Sequence, residues 1–349
     1  MRRRIWSEEV PFEVLTTPRV LGLLARFEVD LLVAVRPGQE RALPRVLGAC
    51  NDAGVRVGAW PMLEDADGRW VSGRNAPSFT AFVRSLVDAA QAEGRAPAEV
   101  AFDLEPPFEE VRRLLPNGSG ILGLGRGIFR DRSDNAGLGR ADVGLVDLGR
   151  AGEFARAERE LARLADELLA RGIGSSAAAV PLMLVEDRWE QLLGTPVDGP
   201  GWGHVSFMLY TSILEGWSRG LLRRRDAVAI LAAGCRAAGA RYGSRAGASL
   251  GAVGVGAFGD EPTYRDPAEL AEDVGVARAA GVDDLTLLDL GGVLGRLPAE
   301  PWLEAFVSAP AAAIDAGSTR RARAALSMIG AAGRALGAIQ SWRRPGGLS

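Results

Sequence analysis

Residues 29–63 read VDLLVAVRPGQERALPRVLGACNDAGVRVGAWPML. Two apolar runs, 29–35 and 55–63, flank a stretch at 41–53 that reads as a helix. Neither run alternates apolar with polar residues, as a half-exposed strand does. Near-continuous apolar runs are the mark of strands buried on both faces, and such strands occur in parallel sheets with helices packed outside. The stretch is therefore a strand–helix–strand unit.

The same alternation extends in both directions. Strands are expected at 3–7, 29–35, 55–63, 99–105, 175–184, 204–210, 248–258 and 283–290. Helices are expected at 18–27, 41–53, 77–93, 152–171, 186–193, 225–241 and 267–280. Eight parallel strands separated by helices over about 300 residues predict an α/β fold, a (β/α)8 barrel of the TIM type. A doubly wound open sheet is the alternative, but it carries an early glycine-rich nucleotide loop, and none follows the first two strands. The barrel is assigned to residues 1–310. Inside it, residues 108–151 form a long insertion after strand four, read as a loop over the barrel top. Its GLGRGI does not directly follow a strand, so as a nucleotide-loop signal it is weak. The tail, 311–349, places Leu326, Ile329, Leu336 and Ile339 at helical spacing beside Arg320, Arg321, Arg323 and Arg334. This amphipathic helix is expected to pack on its own barrel rather than on a membrane.

Composition narrows the function. The 349 residues are 47% hydrophobic and 24% charged, as in globular proteins, and the net charge of -3 gives no basic footprint for nucleic acid. The one histidine, His204, excludes a histidine-rich metal site and leaves only carboxylate-based ones. Cys50 and Cys235 fall inside expected helices and read as buried free thiols. No run reaches the roughly 18–20 apolar residues of a membrane span. The opening MRRRIWSEEV turns acidic where a signal peptide turns apolar. A cytoplasmic protein with no cofactor and no resident metal is the expectation.

Barrel enzymes work at the C-terminal ends of their strands. Polar residues there are Ser7 and Glu8 on strand one, the segment from Trp60 through Glu64 to Asp65 on three, Asp103 and Glu105 on four, and Tyr210 and Thr211 on six. Asp260 and Glu261 follow strand seven, and Asp289 closes eight. Strand four, in EVAFDLEPP (99–107), aims Asp103 and Glu105 to one face just before Pro106 and Pro107. Like charges held on one face repel, so the pair needs partners or a use. Trp60, Trp70, Trp202, Tyr210, Trp217 and Tyr264 are expected near the same rim, where aromatic faces suit sugars, although packing is the commoner fate of any one tryptophan.

The end of strand four resembles family 18 glycoside hydrolases, the chitinase-like barrels, whose pattern there is D-x-x-D-x-D-x-E. Asp103, Leu104, Glu105 and Pro107 match its final part, and Met208-Leu209-Tyr210-Thr211 stands where the family has M-x-Y-D. The two earlier acids of the pattern fall at Ala98 and Ala101, and the acid after the tyrosine is Thr211. The resemblance implies a glycosidase acting on a carbohydrate or glycosylated small molecule. Glu105 would be the general acid/base, Asp103 would orient a substrate acetamido group or keep the pKa of Glu105 high, and Tyr210 would hydrogen-bond that group. Trp60, Glu64, Asp260, Glu261 and Asp289 are candidates for substrate binding.

Other readings stand beside this one. Glu105 and Glu261 suit a retaining pair about 5–5.5 Å apart, or Asp260 and Glu261 are solvated loop acids. Asp103 and Glu105 form a structural pair bonded to backbone or arginine if they are not catalytic. A barrel lacking the relay acids would bind a glycan without cleaving it. In a further alternative, Asp103, Glu105, Asp260 and Asp289 cup Mg²⁺ or Mn²⁺, although no histidine or lysine base accompanies them.

Overall fold

The structure, a computed structural model, describes residues 1–107, 151–256, 259–312 and 319–342. Eight parallel strands close into a barrel in sequence order. They are β1 (Arg2–Ser7), β2 (Asp30–Val35), β3 (Val57–Pro61), β4 (Glu99–Leu104), β5 (Gly174–Ala179), β6 (His204–Met208), β7 (Ala246–Gly251) and β8 (Asp284–Leu288). The last strand pairs with the first, Arg4 beside Thr286 and Ile5 beside Leu287. The described helices are α1 (Phe12–Leu15), α2 (Pro18–Phe27), α3 (Leu43–Asp52), α4 (Ala76–Ala92), α5 (Ala151–Ala170), α6 (Arg188–Leu193), α7 (Thr211–Trp217), α8 (Arg224–Tyr242), α9 (Pro267–Ala279), α10 (Leu290–Gly295), α11 (Glu300–Ser308) and α12 (Arg320–Trp342). The expected (β/α)8 architecture is the one observed.

Successive strand residues face opposite sides of the sheet, and both sides are buried. On β4, Val100, Phe102 and Leu104 join the large core between strands and helices. Ala101 joins a smaller cluster inside the barrel with Trp6, Leu32, Ala34, Trp60, Met62 and Ala178. Two separate apolar environments on one strand explain why the strand sequences read as continuous runs.

Lower in the barrel the interior is charged. Arg4, 1% exposed, donates to Asp284 Oδ1 at 2.5 Å, Glu99 Oε2 at 3.2 Å and Ser176 Oγ at 3.2 Å. Arg2 adds a 2.5 Å bond to Glu99 Oε1, and His204 Nδ1 lies 3.0 Å from Asp284 Oδ2. A buried cation between two carboxylates closes the end of the barrel opposite the mouth, where an unpaired charge would be costly.

Several strands are shorter than their apolar runs. Residues 181–184 form a 3-10 turn opened by Pro181, which has no N–H to offer a sheet. Beyond β7 the run continues into Ala252 and Val253, both buried. Val253 N donates to Leu288 O, and the Ala252 carbonyl accepts from Tyr264 N. A buried loop needs apolar residues as a strand does, so composition alone runs the two together. Helices α1, α7 and α10, of four to seven residues, are too short to show a helical period.

The expected tail helix, α12, lies on the barrel's own helices. Trp189 Nε1 on α6 donates to Ile329 O at 3.1 Å, Arg334 pairs with Glu186 at 3.1 Å, and Ala322 and Leu336 are buried. Among the described residues, no helix is long and apolar enough to cross a membrane. Both cysteines are buried free thiols, and burial pushes them up, Cys50 to about 11 and Cys235 to about 12. The expected loop over 108–151 lies outside the described residues, apart from Ala151 at the start of α5.

Candidate functional site

Because Ala101 faces the barrel interior, Asp103 does too, one strand step higher. It is only 5% exposed, at the mouth formed by the C-terminal strand ends. Glu105 follows the end of β4, half-buried, and lies close enough for its charge to raise Asp103. Oδ1 of Asp103 is buried without a hydrogen-bond partner among the described residues. The segment after β3 is fastened to this strand end, since Val71 N donates to the Asp103 carbonyl at 3.1 Å. Asn75 holds that segment's shape, accepting from Ser72 N at 2.8 Å and donating to Trp70 O at 2.8 Å.

Two further side chains join them. Tyr210, the residue before α7, is half-buried and lies near Ser249 of β7, whose Oγ is 3.0 Å from Ser206 Oγ. Glu8 follows β1, its side chain 7% exposed. It accepts from Arg69 Nη1 at 2.8 Å and lies 3.6 Å from Arg36. Arg69 is itself buried, adopts φ 53, and donates through Nε to Asp65 at 2.7 Å.

The electrostatics follow from burial and crowding. Burial pushes Asp103 well above the usual carboxylate range, and the neighbouring charges of Glu105 and Glu8 push it further. Burial raises Glu105 to about 7, the neighbouring Asp103 carboxyl opposes the rise, and the charge of Glu8 adds to it. Glu8 also rises to about 7 through burial, against the pull of Arg69. Tyr210 is held far above its ordinary value by burial and by the charges of Asp103 and Glu105. Asp103 and Glu105 titrate as a pair. Glu105 is poised near neutrality.

The remaining candidates divide. Glu261, 7% exposed, lies close enough for its charge to raise Glu105 and Asp289. Asp289 caps α10, accepting from Gly291 N at 3.1 Å and Gly292 N at 2.9 Å, so both its oxygens serve backbone. Glu64 and Asp260 are exposed. Trp60 lies in the barrel interior, 4% exposed, with its ring centroid 4.5 Å from that of Trp6 and Nε1 unpartnered among the described residues.

The expected ring of aromatics is smaller than the sequence suggested. Trp202 packs on Phe102, centroids 4.6 Å apart, on the outward side of β4. It precedes β6, at the end of that strand away from the mouth. Tyr264, fully buried, donates to Asp273 on α9 at 2.6 Å, within a network that includes Thr211 and Arg224. Proximity in sequence to a strand end does not tell the inner wall from the outer. Arg69 and Ser249 carried no signal of their own: one is a turn residue, the other a small residue inside a strand. Among the described residues, no group of three or more histidine, cysteine, aspartate or glutamate side chains is arranged to hold a metal ion.

No family model and no curated protein matches the chain. Solved structures do. The PgaB (BpsB) glycoside hydrolase domain from Bordetella bronchiseptica is 12% identical and aligns over 88% of this chain and 99% of its own, with a TM-score of 0.50. An L-ribulose 3-epimerase is 15% identical over 99% of both chains at TM-score 0.44. A D-psicose 3-epimerase is 12% identical over 96% of this chain and 98% of its own at 0.42. These are TIM barrels, and so is this chain. Likeness at such identity is a likeness of fold, and function rests on the side chains at the mouth.

Proposed function

We propose that the barrel mouth hydrolyses a glycosidic bond in a carbohydrate or glycosylated small molecule, with Glu105 as the proton donor. The observation that carries this is the pairing of two carboxyls, Asp103 and Glu105, on the strand-four end at the C-terminal rim, with Asp103 buried and Glu105 raised to about 7. A general acid must hold its proton near neutral pH and release it in the transition state, and burial beside like charge produces such a carboxyl. In this reading Glu105 protonates the leaving oxygen. Asp103 hydrogen-bonds Glu105 as charge develops there and, with the Tyr210 hydroxyl, orients the sugar. Trp60, Glu261 and the nearby rim residues Glu64, Asp260 and Asp289 are assigned to the substrate's surroundings. The family 18 resemblance at strands four and six supports the same roles, and the likeness to a glycoside hydrolase domain supports the scaffold.

The test is hydrolysis of a panel of aryl glycosides and oligosaccharides by the wild-type protein and Glu105→Gln. Cleavage should vanish in the variant while glycan affinity stays nearly intact. Equal turnover by the two proteins would sink the assignment.

One observation favours a second reading, a barrel that binds a glycan without cleaving it. Beneath Asp103 the interior position is Ala101, not a further acid. Oligosaccharide binding by wild-type protein with no cleavage of any member of the panel would establish that reading instead.

A further inference from the structure

Hydrolysis of a glycosidic bond needs a donor for the leaving oxygen and a second group that either takes a proton from water or attacks the sugar itself. Glu105 supplies the first. Another strand of the ring supplies a candidate for the second. In the closed ring of eight, β1 and β4 are three strands apart, so inward side chains at their upper ends face each other across the mouth. Trp6 faces the interior, and Glu8, two residues further on past the end of β1, lies close enough for its charge to act on both Asp103 and Glu105.

Glu8 is also held. Its Oε1 accepts from Arg69 Nη1 at 2.8 Å, and Arg69 is fixed by the 2.7 Å bond from its Nε to Asp65. Among the described residues no hydrogen bond reaches Oε2, so one oxygen is anchored and the other is uncommitted. Asp289 differs, with both oxygens engaged by backbone N–H groups.

We propose that Glu8 is the second catalytic carboxylate of the site, a general base that takes a proton from the attacking water, with Arg69 as its positioning residue. This rests on Glu105 being the proton donor. Water oxygen bonds to the anomeric carbon as the bond to the leaving oxygen breaks. Glu8 receives the water proton, Glu105 gives its proton to the leaving oxygen, and both return to their starting states by exchange with solvent. The configuration at the anomeric carbon inverts.

The experiment compares wild type, Glu105→Gln, Glu8→Gln and Glu8→Ala on a 4-nitrophenyl glycoside that the wild type cleaves and on its 2,4-dinitrophenyl counterpart. Circular dichroism confirms that each variant is folded. Glu105→Gln should lose less on the better leaving group, which needs no acid, whereas Glu8→Gln should lose about 10²–10⁴-fold on both. Azide should restore Glu8→Ala, giving a glycosyl azide of inverted configuration, and ¹H NMR of the wild-type reaction should show the inverted sugar first. A merely structural role for Glu8 would give no azide rescue of Glu8→Ala. Retained configuration, or Glu8→Gln within about threefold of wild type while Glu105→Gln is impaired, would overturn the role of Glu8 alone. Failure of the wild type to cleave any aryl glycoside would overturn the glycosidase reading and this proposal with it.

Discussion

Arg69 Nη1 donates to Glu8 Oε1 across 2.8 Å, joining the segment after β3 to the end of β1. Val71 N joins the same segment to the Asp103 carbonyl at 3.1 Å. Three strand ends are thereby held in one arrangement, and the acids of the mouth keep a fixed relation although like charge drives them apart.

Arg69 should matter through geometry and charge. Arg69→Met removes the anchor of Glu8 and one of the few cations near Asp103 and Glu105. Activity should fall about 10–100-fold, because a misplaced catalytic group loses much of its effect. Arg69→Lys should recover only part of it, since a point charge cannot bond Glu8 and Asp65 in the fork geometry of a guanidinium. Steady-state kinetics of both variants, with a melting curve for each, check this.

Tyr210→Phe keeps the ring and removes the hydroxyl that lies near Ser249 beside the acid pair. The fold should hold, with the melting temperature changed by no more than a few degrees, while kcat/KM drops about 10-fold or more through loss of one oriented hydrogen bond. Michaelis–Menten analysis of the variant is the check.

Stability should depend on pH in a sense opposite to that of a protein held by surface ion pairs. Glu8 and Glu105 rise to about 7 in the folded chain, against about 4.3 for an unfolded glutamate. Between those values the folded state binds more protons than the unfolded one, so stability falls as pH rises from about 4.5 through 7. The melting temperature should be higher at pH 5 than at pH 8, and Glu105→Gln, which carries no charge to desolvate, should flatten the difference. Each acid contributes on the order of 2 kcal/mol to the stability difference between pH 5 and pH 8. Differential scanning calorimetry across that range measures it, and a wild-type stability that rises from pH 5 to 8 would refute the account.

At the other end of the barrel, Arg4→Met leaves Glu99 and Asp284 buried with less compensation and should cost about 3–5 kcal/mol. Urea unfolding reads that loss. In whatever fraction stays folded, the pH dependence of turnover should be unchanged, because the lower charge cluster is separated from the mouth by the apolar layer of Trp6, Leu32, Ala101 and Ala178.

The fold was legible because buried parallel strands need apolar residues on both faces, and residues 29–35 and 55–63 show this directly. The ends of strands were less legible. Ala252 and Val253 extend the apolar run of β7 although they lie in a buried loop. Asp103, Glu105 and Tyr210 could be found because short strands end abruptly in polar residues, at Pro106 in one case and at α7 in the other. Trp202 and Tyr264 misled because a residue beside a strand end can face the helices as well as the mouth. Arg69 could not be found: its role arises from a turn that carries it across two strands to Glu8, and nothing local to GRW at 68–70 signals that reach.

The central claim is that Glu105 donates the proton in glycoside cleavage. Release of reducing sugar from an oligosaccharide panel, followed for wild type and Glu105→Gln with glycan affinity measured on both, tests it most directly. The account predicts cleavage by the wild type and a loss of about 10³-fold in the variant with affinity retained. Cleavage by Glu105→Gln at the wild-type rate would contradict it.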